Sequence, residues 1–327
     1  MSEGTYELTS RFDVTADALL PTTAYDAVTT LEDFRERPAD TMITLLDAAG
    51  VPLVRTVMDA LPSQLQSQLT GWIDDYIETA VLQDQPAIAV VDEILAVANT
   101  TLTQFELVSE LELGDSPGAE QSAPIRHQLR ALRFPDAGLE QPIAIPALGP
   151  FTDAQSQAWI DTGADTAAAD AHLTVDSHSF GLPYGEYAYQ ATEAVITQRY
   201  GVGIRALLGD AIDCPALAAD VSSRCVLELC VGHEAELEAI CEQGLDAVVA
   251  ELQASFEAYR FDAIALHSGE AEMWDAQPNA TADETAGATI DPTAGHIDFM
   301  HAGQWQASID AGMGPRELPA AFTGVRQ

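Results

Sequence analysis

The chain has 327 residues, and 47% of them are hydrophobic, so it can bury a substantial core and is not globally disordered. Its formal charge is −39, because 52 acidic residues outnumber 13 basic ones, all of which are arginine. A surface this acidic repels nucleic acid and anionic lipid, and we therefore expect neither as a partner. The simplest interpretation of the charge is a solvated surface suited to high salt, as in halophilic proteins.

The chain opens with a strand pattern over residues 5–14, in which Tyr6, Leu8 and Phe12 alternate with polar residues. Residues 26–100 then change to helical spacing. We interpret them as a first helical insertion, whose broad apolar stripes must pack on something. No run of about 18 apolar residues occurs in the chain, so we predict no transmembrane segment.

Strand character returns over residues 102–148, in three segments. The first segment carries Glu106 and Glu110 on one face, and the second carries Arg126 and Arg130. We expect these opposite charges to face each other across neighbouring strands. The third segment contains prolines, which restrict it to a sheet edge or an irregular position.

The second half of the chain repeats the order of the first. A loop with a short helix is predicted over residues 150–170, a strand over 171–182, a second helical insertion over 184–257, and three strands over 258–326. We therefore predict an α+β fold in a single composite domain, residues 1–327. About eight mostly antiparallel strands form a β-barrel or a strongly curved sheet, with two large helical insertions. The alternative is an open curved sheet with helices covering one face.

The second insertion contains the cysteines Cys214, Cys225, Cys230 and Cys241, at spacings that are symmetric about one midpoint. Two helices joined by a short turn would bring Cys214 opposite Cys241, and Cys225 opposite Cys230. A helix joining Cys230 to Cys241 would separate them by about 16 Å, beyond the limit of about 7 Å between bridged Cα atoms. We predict disulfides in the nested pairing. Other connectivities are formally possible, and buried free thiols or a metal site are the alternatives.

Disulfides imply folding outside a reducing cytosol, so we expect an extracytoplasmic protein, secreted or anchored to the cell envelope. The first residues pass directly into the strand pattern and contain no signal peptide. We expect that an export signal has been cut off or left out of this sequence.

The alternation of the strands also predicts which side chains enter the barrel. One histidine falls on each of three inward faces, namely His127, His267 and His301. Phe299 and Trp305 share the face of His301. The inward faces also carry the small residues Ala265, Gly269 and Gly303. Small side chains in a barrel wall leave volume, so we predict a cavity that binds a small, partly apolar ligand.

The same three histidines could bind a metal, because three neutral imidazoles with an open position suit zinc. They could equally be separate core residues, each hydrogen-bonded to backbone or hydroxyl groups. A second candidate site consists of His172, Asp176 and His178, which lie on one face of a strand and could share a ligand or a proton. Alternatively, this face is simply in water. We expect no cofactor, since the sequence contains no phosphate-cradling loop and no dinucleotide fingerprint.

The segments AGQWQASIDAG, residues 302–312, and FTGVR, residues 322–326, resemble the closing strands of uncharacterised bacterial cell-envelope lipoproteins. The GxW of Gly303 to Trp305 is also similar to that of lipocalin-type calycin barrels. Lipocalins carry their GxW on the first strand and have no large helical insertions. The resemblance implies a secreted or envelope-anchored barrel that binds a small apolar ligand, and it carries over no catalytic residue.

Three functions are compatible with these patterns. We predict a non-enzymatic extracytoplasmic binding protein that holds a small, partly apolar ligand in a barrel-like cavity. The first alternative is a structural or adaptor protein of the envelope, whose helical arms bind a protein partner. The second is a metal-assisted hydrolase that uses the three inward histidines or the pair of Asp176 and His178. Whether the protein is an enzyme stays open at this point, although the patterns favour a binding protein.

Overall fold

The computed structural model describes residues 4–14, 22–51, 61, 63–82, 85–114, 122–147, 151–161, 171–226, 229–274, 299–312 and 314–327. The chain folds into two compact units, each assembled from separate stretches of sequence. The barrel unit comprises Met1–Pro21, Thr103–Tyr187 and Arg260–Gln327. The helical unit comprises Thr22–Leu102 and Ala188–Tyr259.

The strands are numbered along the whole chain, and two short hairpins of the helical unit are among them: β2 (Val81–Leu82) with β3 (Gln85–Pro86), and β10 (Cys225–Val226) with β11 (Leu229–Cys230). The other strands form the barrel unit. They are β1 (Gly4–Asp13), β4 (Gln104–Leu113), β5 (Ala123–Phe134), β6 (Leu139–Ala144), β7 (Asp153–Asp161), β8 (Ala171–Val175), β9 (His178–Leu182), β12 (Phe261–Trp274), β13 (Phe299–Asp310), β14 (Arg316–Glu317) and β15 (Ala320–Arg326). A 3₁₀ turn, Pro135–Ala137, joins β5 to β6.

Eight of these strands close into an antiparallel barrel, in the order β1, β4, β5, β7, β8, β12, β13 and β15. The strand β15 pairs with β1 from Tyr6 opposite Arg326 to Arg11 opposite Ala321, so the two ends of the chain complete the wall. The short strands β6, β9 and β14 extend the sheet from β5, β12 and β13. The predicted α+β fold, with an antiparallel barrel and helical insertions, is confirmed.

Local sequence explains most of the barrel wall. Each glutamate of β4 lies opposite a polar residue of β5, with Glu106 opposite Arg133 and Glu112 opposite Arg126, and Arg130 donates to Glu110 at 2.8 Å. The proline-containing strand β6 pairs only with β5 among the described strands, which agrees with its predicted edge position.

The prediction of a loop and short helix over residues 150–170 is wrong at its start, because β7 runs from Asp153 to Asp161. That strand is mostly polar, and its apolar alternation is too weak to be recognised.

Aromatic rings fill the end of the barrel at which β1 ends and β4 begins. Phe12 stacks on Phe105 with ring centroids 5.3 Å apart, and Tyr184 stacks on Phe261 at 4.4 Å. Phe134 lies beside Tyr184 at 6.4 Å. These five side chains are at most 1% exposed, so this end of the interior is tightly packed.

The helical unit contains eight described helices, numbered here in chain order. They are α1 (Thr22–Glu36), α2 (Pro38–Ala48), α3 (Ser63–Thr79), α4 (Ala87–Thr103), α5 (Tyr184–Tyr200), α6 (Ile204–Ile212), α7 (Cys214–Ser223) and α8 (Glu234–Glu257). The last residue of α4 and the first four residues of α5 belong to the barrel unit. The long helix α8 packs against α1, α2 and α7. None of the described helices combines the length and the apolar character that crossing a membrane requires.

Three cysteines of the helical unit, Cys214, Cys225 and Cys241, are disulfide-bonded. Cys214, at the start of α7, is bonded to Cys241 on α8, with Cα atoms 5.6 Å apart, and this predicted pair is confirmed. Cys225 is also disulfide-bonded, and its backbone lies opposite Cys230 in the β10–β11 hairpin. The side chain of Cys230 lies outside the described part of the structure. The alternative predictions of free thiols or a metal site are therefore wrong for Cys214, Cys225 and Cys241.

Candidate functional site

A chain of polar side chains crosses the interior of the barrel. His127 on β5 lies at its centre, with Nε2 2.7 Å from Ser109 Oγ on β4 and Nδ1 2.7 Å from His178 Nε2 on β9. The other nitrogen of His178, Nδ1, lies 2.9 Å from the backbone carbonyl oxygen of Asp176. We call Ser109, His127 and His178 the histidine relay.

The hydrogen-bond directions in the histidine relay follow from its outer end. The Asp176 carbonyl oxygen can only accept, so His178 Nδ1 must donate to it. A neutral His178 then has only Nε2 free to accept, and His127 Nδ1 donates to it. The remaining nitrogen, His127 Nε2, therefore accepts the hydroxyl hydrogen of Ser109. Every donor in the neutral relay points outward, from Ser109 toward Asp176.

Aromatic rings enclose the histidine relay. Trp305 stacks on His127 with ring centroids 5.7 Å apart, and Phe322 stacks on Trp305 at 4.6 Å. Phe180 meets His127 edge-on at 5.0 Å. The indole Nε1 of Trp305 donates to Ser10 Oγ at 3.1 Å, so this buried polar group is satisfied as well.

Burial favours the neutral form of both imidazoles. His127 is 1% exposed, and burial lowers its pKa well below the ordinary value of 6.5, with the neighbouring His178 as a smaller cause. Burial also lowers the pKa of the half-buried His178, although its hydrogen bond to the Asp176 carbonyl acts in the opposite direction. No carboxylate or guanidinium among the described residues contributes to either change.

The small residues of the barrel wall accommodate aromatic rings. A Cβ atom on Gly269 would lie 2.1 Å from the Trp305 ring, and one on Gly303 would lie 2.6 Å from the Phe322 ring. A Cβ atom on Gly324 would lie 2.6 Å from Leu8 Cδ2. The interpretation of Gly269 and Gly303 as space for a ligand is therefore wrong, because Trp305 and Phe322 occupy that space.

The predicted inward cluster of histidines does not form. His127 is inside the barrel, but His267 and His301 are exposed, and Phe299 is 42% exposed. The reason is the register of β12 and β13, which shifts between Leu266 and Ser268 and again beside His301. A β-bulge inserts one residue and reverses the side-chain alternation beyond it.

The backbone of Ala302 marks the bulge in β13, since its φ of 50° is in the left-handed region. Met300 and Trp305 consequently face the interior, while His301 faces outward. His267 instead has its Nε2 2.9 Å from Ser308 Oγ. Within the described residues, no group of three histidine, cysteine, aspartate or glutamate side chains is placed to hold a metal ion.

The second predicted site, of His172, Asp176 and His178, does not form on one face of a strand either. His172 and the Asp176 side chain are exposed, whereas His178 turns into the barrel. The break between β8 and β9 at Asp176 and Ser177 allows this, because strict alternation would keep all three on one face. The structure thus brings together His127 and His178, one residue from each predicted site. Ser109, the third member of the relay, carries no sequence signal beyond an inward position.

The histidine relay has the connectivity of a serine-protease triad, in which a serine hydroxyl contacts one imidazole nitrogen and a third group orients the other. A nucleophile must reach the carbonyl of a substrate, but Ser109 is 0% exposed. The relay can therefore hold and redirect a proton, while acyl transfer at Ser109 has no access route from solvent.

A surface cleft of about 440 Å³ lies beside β9 on the barrel unit. Its lining residues are Phe151, Gly181, Leu182, Pro183, Arg260, Phe261 and Asp262, and we call it the Phe151 cleft. The Phe151 ring is 63% exposed, the most of any large apolar side chain in the described residues, and it packs against Gly181. Sequence reasoning missed this cleft, because Phe151 stands in a segment predicted to be a loop.

The Phe151 cleft contains an arginine that forms no ion pair among the described residues, Arg260. Most arginines of this acidic chain are paired, for example Arg205 with both Glu242 and Asp246. A second cleft of about 480 Å³ is lined by residues of β4, β5 and β7. Its arginine, Arg126, is already bound by Asp153, with Nε 2.9 and 3.0 Å from the two carboxylate oxygens.

No family model, curated protein or solved structure matches the chain. The class of the protein is therefore defined by its own geometry. It is a closed antiparallel β-barrel with helical insertions, an interior occupied by aromatic rings and the histidine relay, and an apolar cleft on its outer surface.

Proposed function

We propose that this protein is a non-enzymatic, extracytoplasmic binding protein that holds a small, partly apolar ligand in the Phe151 cleft. The observation that carries the proposal is the exposed Phe151 ring beside a cleft of about 440 Å³. Small-molecule sites commonly have volumes of about 300 to 1,000 Å³, apolar walls and a few polar groups. Phe151 and Pro183 supply the accessible apolar side chains, the almost fully buried Leu182 and Phe261 lie behind them, and Arg260 and Asp262 are the charged groups.

The charged groups of the cleft indicate the chemistry of the ligand. Arg260 can pair with an anionic end group, since a guanidinium binds carboxylates and similar anions through parallel hydrogen bonds. Asp262 can accept a hydrogen bond from an N–H or O–H group of the same ligand. The expected ligand is therefore a small molecule with an apolar body, which packs on Phe151, and an end group that carries an anion for Arg260 and a hydrogen-bond donor for Asp262.

The disulfides support a location outside the cytoplasm, because such bonds form and persist in oxidising compartments. The resemblance of the closing strands to envelope lipoproteins points the same way. The adaptor alternative has less support. The exposed large apolar side chains among the described residues are Phe151, Trp159, Phe299 and Val325, and all of them belong to the barrel unit rather than to the helical arms.

Two related fluorescent probes test the proposal: anilinonaphthalene sulfonate, which has an apolar body, a sulfonate and an N–H group, and its uncharged parent, phenylnaphthylamine. Titrations at about 1 M salt screen the long-range repulsion from the net charge, since the Debye length is then about 3 Å. We expect Phe151→Ala to weaken both probes about tenfold through lost apolar contact. We expect Arg260→Gln to weaken only the sulfonate probe, by about fivefold to tenfold.

Trp159→Ala is the matched control, because Trp159 is also an exposed aromatic residue of the barrel, 41% exposed, but does not line the cleft. This variant should bind both probes as the unmodified protein does. Binding that is unchanged by Phe151→Ala, or lost equally in Trp159→Ala, would contradict the proposal. So would the failure of the unmodified protein to bind either probe.

A further inference from the structure

We propose that the histidine relay is a proton-uptake site that gains one proton, held at His178, and re-forms its two inner hydrogen bonds in the opposite direction. The inference is independent of ligand binding in the Phe151 cleft. It rests on three consecutive contacts of 2.7, 2.7 and 2.9 Å that link Ser109, His127, His178 and the Asp176 carbonyl.

His178 is the member of the relay that receives the proton. It is half-buried, whereas His127 is 1% exposed and Ser109 is 0% exposed, so solvent reaches His178 first. His178 Nε2 is an acceptor in the neutral relay, and this atom becomes protonated. Its other nitrogen, Nδ1, continues to donate to the Asp176 carbonyl, which favours the charged form of His178.

Protonation at His178 Nε2 forces a rearrangement at His127. The new N–H of His178 must donate to His127 Nδ1, so that nitrogen gives its own proton to solvent and becomes the acceptor. His127 takes a solvent proton at Nε2, which donates to Ser109 Oγ, and the serine hydroxyl hydrogen turns away from His127. Two protons enter, at His178 Nε2 and His127 Nε2, and one leaves from His127 Nδ1, so the relay gains one proton and His127 stays neutral with the opposite tautomer.

The surroundings of the relay contain no fixed charge that would set its direction, as far as the described residues extend. Ser109 faces it from β4, Phe180 from β9 and Trp305 from β13. The Asp176 carboxyl group is exposed, and the residue faces the relay with its backbone carbonyl. The two imidazoles are thus the titratable side chains that face each other across these described elements. Proton uptake occurs below the ordinary histidine pKa of 6.5, because burial lowers the pKa of both rings.

Long-range nitrogen–proton NMR spectra of the histidine-labelled full chain, recorded over a pH titration, test this inference. At neutral pH we expect His178 and His127 to carry their protons on Nδ1. As His178 becomes doubly protonated, the spectra should show His127 changing to the Nε2–H tautomer at the same pH midpoint. His172, which is exposed on β8 and lies outside the relay, provides an internal reference for the histidine signals.

The variant Ser109→Ala tests the inner end of the relay, since it removes the hydroxyl oxygen that accepts from His127 once His127 carries its proton on Nε2. The proton affinity of His178 should fall about fivefold in this variant, and His172→Gln should leave it unchanged. If His127 keeps its Nδ1 proton while His178 becomes charged, or if His127 becomes charged first, the inference is overturned. The tautomer change in the unmodified protein decides the question even if Ser109→Ala does not fold.

Discussion

At the scale of single residues, Trp305 and His127 determine the character of the barrel interior. Trp305 is 1% exposed, stacks on His127, and occupies the space that Gly269 leaves in the wall. From the sequence, alternation correctly placed His127 and Trp305 inside, because β5 and the second half of β13 follow a regular period of two. It failed for His301 and Phe299, since the bulge at Ala302 reverses the alternation and carries no apolar signal.

Because the Trp305 ring packs directly against Gly269, we predict that a side chain at position 269 destabilises the protein. Gly269→Ala should lower the free energy of unfolding by about 1 to 3 kcal/mol, because the added methyl group overlaps the indole ring in a packed interior. Chemical denaturation monitored by circular dichroism measures this change. Gly71→Ala on α3 is the control: its Cβ atom meets nothing within 4 Å, and alanine should be neutral or stabilise the helix by about 0.5 to 1 kcal/mol. Equal stability of Gly269→Ala and the unmodified protein would contradict the packed interior.

At the scale of elements, the order of strands and helical insertions could be predicted because the spacing of apolar residues changes from two to about 3.6 at each boundary. The strand β7 could not be predicted in this way, since Ala158 is its only fully buried side chain and Trp159 faces outward. The break between β8 and β9 also escaped prediction. This break turns His178 into the barrel and places Gly181 in the lining of the Phe151 cleft.

The Cys214–Cys241 disulfide links α7 to α8. Replacing both cysteines by alanine should lower the free energy of unfolding by about 2 to 4 kcal/mol, because the unfolded chain regains the freedom of a loop closed over 27 residues. Denaturant titrations of the variant and the unmodified protein, both under oxidising conditions, measure the difference. The same titrations with reductant are the control, since reductant should bring the unmodified protein close to the variant. A variant as stable as the oxidised protein would contradict the role of this bond.

At the scale of the whole molecule, the pairing of β1 with β15 makes the sheet a barrel rather than an open curved layer. The sequence allowed both alternatives, because period-two segments at the two ends of a chain do not reveal whether they pair. The sequence could not reveal the content of the interior either. Glycines in a barrel wall are compatible with a cavity or with close approach of large rings, and only the side chains that approach Gly269 and Gly303 distinguish the two.

One NMR titration tests most directly the proposal that the ligand binds in the Phe151 cleft rather than inside the barrel. Anilinonaphthalene sulfonate is added to the isotopically labelled protein while the backbone amides of Gly181 and Leu182 and the indole Nε1–H of Trp305 are followed. We predict that both amides shift in a saturable manner, because they belong to the Phe151 cleft, and that the Trp305 indole signal, donated to Ser10, stays in place. A saturable shift of the Trp305 indole with unchanged Gly181 and Leu182 amides would contradict this and place the site inside the barrel.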